Sequence, residues 1–491
     1  MTMKGVLLVV THKTPGDLPT GSTIPIHEQR AVLRALRGEL IQHYRPLIYE
    51  GPGPIRVMAR VVAELEQECH KRHVSREVMR SEIVNRTIGD VNLRLIVECE
   101  GEDGGSGDYR MLADELGVAL PGEQLPCGYV ANGETYLWLR KQAMEDERLL
   151  LEQRYDPRIY DIYGIGNPVL RERLAQEMLR WKLDVSASQV MLSLGAMDGI
   201  DKVLRGLAYQ YRVKDNISDY AILFPEPGFN VPEWQARACG YRLYAFQTLP
   251  ENRFKLTAGE LDQILHDDPA VRIIYLSVTN NPTTFSYTPD ELNALHNIVR
   301  SYREKGRDIF ILADLAYIGT GKPEEDLARM ATFAHPDTLR YSIFVSSFSK
   351  THTLTGERFG WVTCGDPAVV PILSPAWTNT MASLPGEWQL RFMAYYRLIQ
   401  EHPWLSEKLR NFYRLRRRSF IHQLNHVNEQ LPLFDEVYID DDATVYNWSK
   451  VRTGEDAFSL FEKTGIAGVP GSGFGYTDEY IRFSIGVVPI D

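Results

Sequence analysis

An alternation in the middle of the chain constrains its fold more than any other feature. Between about residues 186 and 375, five short β-rich runs recur: QVMLSL (189–194), DYAILF (219–224), RIIYLSV (272–278), DIFILAD (308–314) and SIFVSSF (342–348). Stretches of helical periodicity, such as 199–209 and 290–305, lie between them. Parallel strands need long crossovers, usually helices, whereas antiparallel neighbours need only a turn. The pattern therefore predicts an α/β large domain, a mostly parallel sheet with helices on both faces.

At 491 residues the chain is too long for one core. Residues 1–125 read as an extension of unassigned fold, with strand candidates at 5–10 and 91–97. Between these, an amphipathic helix candidate (55–69) places Val57, Val61, Val62 and Leu65 on one face. The glycine-rich acidic EGEDGGSGD (100–108) reads as a linker. The segment 126–185, with a helix opening near Pro168, is expected to pack with the last zone, 376–491. There one long helix pattern (388–423) precedes a smaller α+β part with strands in VYNW and YIRFSIG. The expected organisation is thus extension, small-domain N-terminal segment, large domain (186–375) and small C-terminal domain (376–491).

A formal net charge of −11 argues against nonspecific nucleic-acid binding, which needs a basic face. No apolar run approaches the roughly 20 residues of a membrane helix. VLLVV (6–10) is too short for a signal-peptide core and reads as a buried strand. Five scattered cysteines suggest reduced thiols and a cytoplasmic location. In CHKRH, Cys69, His70 and His73 are expected on one helical face. Without a second cluster they read as a solvated helix end, not a metal site. RLRRRS (414–419) reads as an exposed helix face.

The chemistry centres on Lys350. A strand-like run delivers a hydroxyl-rich turn with Ser347 and Ser349, the lysine follows, and Arg358 comes eight residues later. That arrangement suits a lysine joined as a Schiff base to a phosphorylated aldehyde, with hydroxyls and a guanidinium holding the phosphate. Three further features bear on such a site. DIFILAD ends in Asp314, at the carboxyl end of a predicted parallel strand, where such sheets bind ligands; taken alone, Asp314 could equally cap the next turn. QVMLSL runs into Gly195-Ala196-Met197 and a helix, whose free N–H groups suit an anion. Arg482, in an otherwise apolar strand, calls for a partner and suits a carboxylate.

SSFSKTHTLTGERFGW (346–361) resembles the cofactor-lysine segment of the fold-type I pyridoxal phosphate (PLP) enzymes, the aspartate aminotransferase superfamily. The resemblance spans about 155–491 and implies roles in chain order. Gly195, Ala196 and Met197 would contribute to the phosphate cradle with Ser347, favoured over Ser349, and Arg358. Phe229 in FPEPGFNVPEW would stack on the pyridine ring. Asn281 in the NPTT version of the family's N-P-T-G, together with Tyr317, would bond the phenolic oxygen. Asp314 would pair with the pyridine nitrogen, and Lys350 would be covalent anchor and proton carrier. Arg482 would grip the substrate carboxylate beside Asn281. Tyr163 would reach a neighbouring subunit's site, implying a homodimer. Thr284 departs from the family's glycine, which places that turn in question because threonine resists positive φ.

The implied activity is a PLP-dependent aminotransferase acting on an amino acid and a 2-oxo acid by a ping-pong route, with no nucleic-acid or membrane partner. Two alternatives stand beside it. One is other PLP chemistry on the same fold: aspartate β-decarboxylation, a lyase or synthase reaction, or an oxidation. The other is an aminotransferase-like transcription regulator, which the non-basic first 125 residues disfavour.

Overall fold

The computed structural model describes residues 24–48, 54–89, 135–153, 155–437 and 443–485. The strand candidates at 5–10 and 91–97 and the linker at 100–108 lie outside these residues. The chain opens with helices Ile26–Tyr44, Pro54–Lys71 and Arg76–Glu82, followed by β1 (Val84–Asn85). The second helix turns Val57, Met58, Val61, Val62, Leu65 and Cys69 inward, the three-and-four spacing of an apolar stripe. It ends at Lys71, so His73 (φ +59°) falls beyond it and does not share a helical face with Cys69, whose thiol burial pushes up to about 11.

The large sheet comprises β2 (Val190–Leu194), β3 (Ala221–Glu226), β4 (Arg242–Gln247), β5 (Val271–Ser277), β6 (Phe310–Asp314), β7 (Ser342–Ser347) and β8 (Phe359–Cys364), in the order 2-8-7-6-5-3-4. Pairings along β7-β6-β5-β3-β4 are parallel, and β8 runs antiparallel to both β2 and β7. Helices cover the sheet, so β6 and β7 are buried at every position, as their unbroken apolar runs require. Because β8 returns directly beside β7, no helix intervenes, and their loop, 348–358, lies at the carboxyl edge of β7. The ends of β2, β5, β6 and β7 share this edge: Ser277 is in register with Asp314, Ser347 with Gly360, and Leu194 with Phe359. Crossovers leave a crevice at such an edge.

A second, antiparallel sheet has the order β12-β13-β10-β9, from β9 (Phe434–Val437), β10 (Tyr446–Val451), β12 (Val469–Pro470) and β13 (Tyr480–Ser484). β11 (Ile466–Ala467) pairs in parallel with β1. One apolar core runs from Ala143 to Leu405 around the large sheet. The other joins residues between Leu33 and Ile83 to residues between Leu409 and Ile485. The described part of the expected extension is therefore built into the C-terminal unit.

Three sequence expectations need correction. The single helix over 388–423 is two, Gly386–Glu401 and Trp404–Gln430, broken at His402-Pro403 because proline lacks the N–H a continuous helix needs. The first packs along Thr135–Glu152 on the large core, so the boundary expected at 376 falls inside helix Val370–Met381, and the cores part between Leu405 and Leu409, in the first turns after the proline. Arg417, within the stretch read as exposed, is buried and donates to the carbonyls of Ala443 (2.5 Å) and Thr444.

Leu65→Ala is expected to lower stability by about 2–4 kcal/mol, the cost of a buried leucine truncation. Because its core is shared, faster proteolysis should appear within 409–485 as well as near the substitution, read by mass spectrometry of a limited digest.

Candidate active site

A cavity of about 400 Å³ opens at the carboxyl edge of the large sheet. Its lining includes Ala196, Met197, Phe229, Asn281, Asp314, Tyr317, Ser347, Ser349, Lys350, Arg358 and Arg482, so residues scattered over nearly three hundred positions of sequence meet in one chamber. Gly195 adjoins it through Arg358. Tyr163 does not line it: that side chain is 61% exposed on a surface loop.

Gly195 is the N-cap of helix Ala196–Tyr209, which has no side-chain cap, so backbone N–H groups of its first turn are free for an outside acceptor. Gly195 adopts φ +82°, and a Cβ there would come within 2.4 Å of Arg358 Nη2. Glycine thus lets the guanidinium lie against the helix start. Arg358 is held in place by Thr355 O (2.9 Å) and Leu194 O (3.2 Å). Helix N-terminus, guanidinium and the hydroxyls of Ser347 and Ser349 give one end of the cavity an anion-binding character.

Asp314 forms the floor. Tyr275 Oη donates to its Oδ2 (2.6 Å) and the Ala316 N–H to its Oδ1 (2.9 Å). Burial pushes its carboxyl upward, against both donors. Tyr317 follows three residues on, and its hydroxyl donates to Tyr446 Oη (3.2 Å); burial keeps this phenol protonated. Lys350, on the β7–β8 loop, donates from Nζ to the carbonyl of Gly89.

At the opposite end lies Arg482, in register with Trp448 on β10 and only 2% exposed. Its Nη1 donates to Asn281 Oδ1 (3.1 Å) and its Nη2 to Thr87 O (2.7 Å), between the rings of Tyr446 (4.2 Å) and Phe474 (4.8 Å). Nε has no partner, and no carboxylate among the described residues forms an ion pair with it. A buried cation without an acid is costly, and burial lowers its pKa. The site is therefore built for an incoming anion. In the turn bearing Asn281, Thr284 occupies φ +69°: the glycine-type conformation survives with a β-branched residue, at a cost of about 1–3 kcal/mol.

Sequence reasoning missed one wall. Ile55, Arg56 and Ala59 from the second helix, and Ile88 and Gly89 after β1, line the cavity. No motif marks them, because their place depends on β1 pairing with β11 far along the chain. It also missed Ser277 and Tyr446, which read as ordinary strand residues.

This sheet with this cavity at its carboxyl edge is the architecture of a fold-type I PLP enzyme. The structure of Thermus thermophilus aspartate aminotransferase with maleate superposes with a TM-score of 0.63 at 17% identity, covering 91% of this chain and 95% of that one. Aspartate aminotransferase of Geobacillus stearothermophilus is 23% identical over 337 residues, 65% of this chain and 77% of its own. LL-diaminopimelate aminotransferase of Maridesulfovibrio salexigens is 27% identical over 292 residues, 56% of this chain and 69% of its own. The family model for aminotransferase class I and II matches residues 142–489. The chain belongs to that family, and its cofactor is PLP.

The cavity fits the cofactor on one observation above all: a cradle that a single Cβ at Gly195 would fill. Gly195→Ala should weaken PLP binding at least about tenfold, from the positive φ alone, measured by equilibrium dialysis of the apoprotein.

Proposed function

We propose that this aminotransferase binds PLP through Lys350, with Arg358, Ser347 and the helix start at Gly195, Ala196 and Met197 on its phosphate. In this reading Asp314 faces the pyridine nitrogen, Phe229 the ring face, and Asn281 with Tyr317 the phenolic oxygen. The observation that carries the reading is the buried guanidinium of Arg482, with no acid partner among the described residues, in the same chamber as Lys350. A planar fork of donors suits a carboxylate in two-point contact. When bound, PLP withdraws the electron pair left on the substrate's Cα into its ring and carries the amino group between the two half-reactions.

The chain's own groups do the rest. Arg482 and Asn281 fix the carboxylate of the amino acid. Lys350 Nζ, displaced from the cofactor by the substrate's amine, would carry one proton from Cα to the cofactor's former aldehyde carbon, and in the second half-reaction would carry one from that carbon to the Cα of the 2-oxo acid. The Gly89 carbonyl, which accepts from Nζ, holds the amine over the cavity until it is engaged. Asp314 would hold a negative charge at the pyridine nitrogen. Ile55, Arg56, Ala59 and Ile88 form the wall nearest the substrate side chain and set its choice.

We further propose a homodimer. Ile159, Tyr160, Ile162 and Tyr163 are 61–84% exposed on one loop, more apolar surface than a lone subunit ordinarily leaves in a single stretch. In a dimer this loop would bring Tyr163 to the other subunit's site. Cys69, Cys239 and Cys364 are free thiols, and no helix among the described residues is long and apolar enough to cross a membrane. The thiols support a reducing compartment such as the cytoplasm.

Lys350→Ala is expected to lose the PLP adduct fixed by borohydride, read by intact mass; retention of that adduct would remove Lys350 from the mechanism. Arg482→Lys should raise KM for the amino acid about ten- to a hundredfold, the loss of a two-point charged contact, while borohydride still fixes the cofactor. Ile162→Asp should shift the protein from dimer to monomer in sedimentation velocity.

A further inference from the structure

We infer that Tyr275 is a positioning residue for the reaction: its hydroxyl orients the Asp314 carboxylate and keeps it charged toward the cofactor's pyridine nitrogen. The inference rests on the assignment of Asp314 given under the proposed function.

Tyr275 and Asp314 sit on adjacent parallel strands. Ser277 is in register with Asp314 and Tyr275 with Leu312, so Tyr275 is the diagonal neighbour of Asp314 on the same face. Its hydroxyl spans that diagonal to Oδ2 at 2.6 Å, a length typical of a hydroxyl donating to a charged oxygen. Both side chains are buried, at 3% and 8% exposure, so water offers no substitute donor. The other carboxylate oxygen takes the Ala316 N–H at 2.9 Å. Each oxygen therefore has one fixed donor and a lone pair to spare, and the carboxylate plane is pinned from two sides. Burial drives Asp314 toward its neutral form, and the Tyr275 hydroxyl is the larger of the two groups opposing this. Burial and the neighbouring carboxylate hold the phenol's own proton, so its hydroxyl is available to donate to Asp314.

A buried tyrosine with a satisfied hydroxyl is also an ordinary core residue. Its ring packs against Phe224 at 5.2 Å, a contact phenylalanine would keep. Tyr275→Phe therefore separates the two roles. Other titratable groups face the pair. Glu233 of helix Val231–Ala238 shares a small cavity with Tyr275, and burial followed by Glu226 raises its carboxyl to about 7. Tyr317, Lys350, Arg358 and Arg482 face Asp314 across the main cavity.

The test compares wild type, Tyr275→Phe and Asp314→Ala, with PLP itself as the probe. Two readouts are taken: PLP affinity of the apoprotein by equilibrium dialysis, and the pH profile of that affinity with the absorbance of the bound cofactor. Loss of a hydrogen bond to a charged group predicts about ten- to a hundredfold weaker PLP binding in Tyr275→Phe. Without the donor the carboxyl rises further, so its charged form is reached only at higher pH. The acid limb should move up by about one pH unit or more. The same shift in a Glu233→Gln background assigns it to Asp314; its disappearance there would overturn the inference. A variant that melts lower but keeps both PLP affinity and acid limb would make Tyr275 a core residue only. If Asp314→Ala also leaves PLP affinity unchanged, the assignment of Asp314 itself has failed, which is a distinct result.

Discussion

Arg482 is buried with no acid partner among the described residues, and that constraint ties together several separate parts of the chain. A guanidinium out of water must have its donors met and its charge offset. Here the loop after β5 supplies Asn281, the segment after β1 supplies Thr87, and the second sheet supplies the rings of Tyr446 and Phe474. The large sheet, the first helices and the last strands are thus tied to one side chain. Cation–π contacts and two hydrogen bonds leave the charge only partly compensated. In the proposed reading, a carboxylate arriving in the cavity would supply the missing charge, so binding energy would be concentrated where the substrate is oriented.

The other end of the chamber depends on backbone geometry. Running β8 back against β7 puts the 348–358 loop at the strand ends, and only glycine at 195 lets Arg358 approach the helix start. The groups lining the cavity therefore sit on strand termini and short loops anchored by a rigid sheet, where small displacements are resisted by close packing.

Much of this was legible in the sequence because it is local. The apolar runs of β5, β6 and β7, the turn at Gly195 and the hydroxyl-lysine-arginine spacing each lie within a few residues, and their order placed them at one sheet edge. Pro403 was equally local evidence and was passed over: the apolar periodicity continues through it, which hid the break. The wall at residues 55–59 and 88–89 was not legible, since it exists only through the pairing of Val84 with Ile466. β8 escaped because its glycine and neighbouring charges dilute the strand signal. Thr284 shows the limit of reasoning from residue preference: a turn fixed by its surroundings holds threonine in a conformation that the residue alone disfavours.

The shared core of the first and last parts of the chain has a consequence for biosynthesis. The helices at 26–44 and 54–71 leave the ribosome more than three hundred residues ahead of 409–485, the segments that complete their core. At about 5–20 residues per second, the delay is on the order of half a minute. Through that interval the large sheet can close on its own core, while Val57, Val61, Val62 and Leu65 have only the neighbouring first helices to pack on. The nascent chain thus carries a half-covered apolar stripe across that interval, and its first helices reach their final packing only when the second sheet forms.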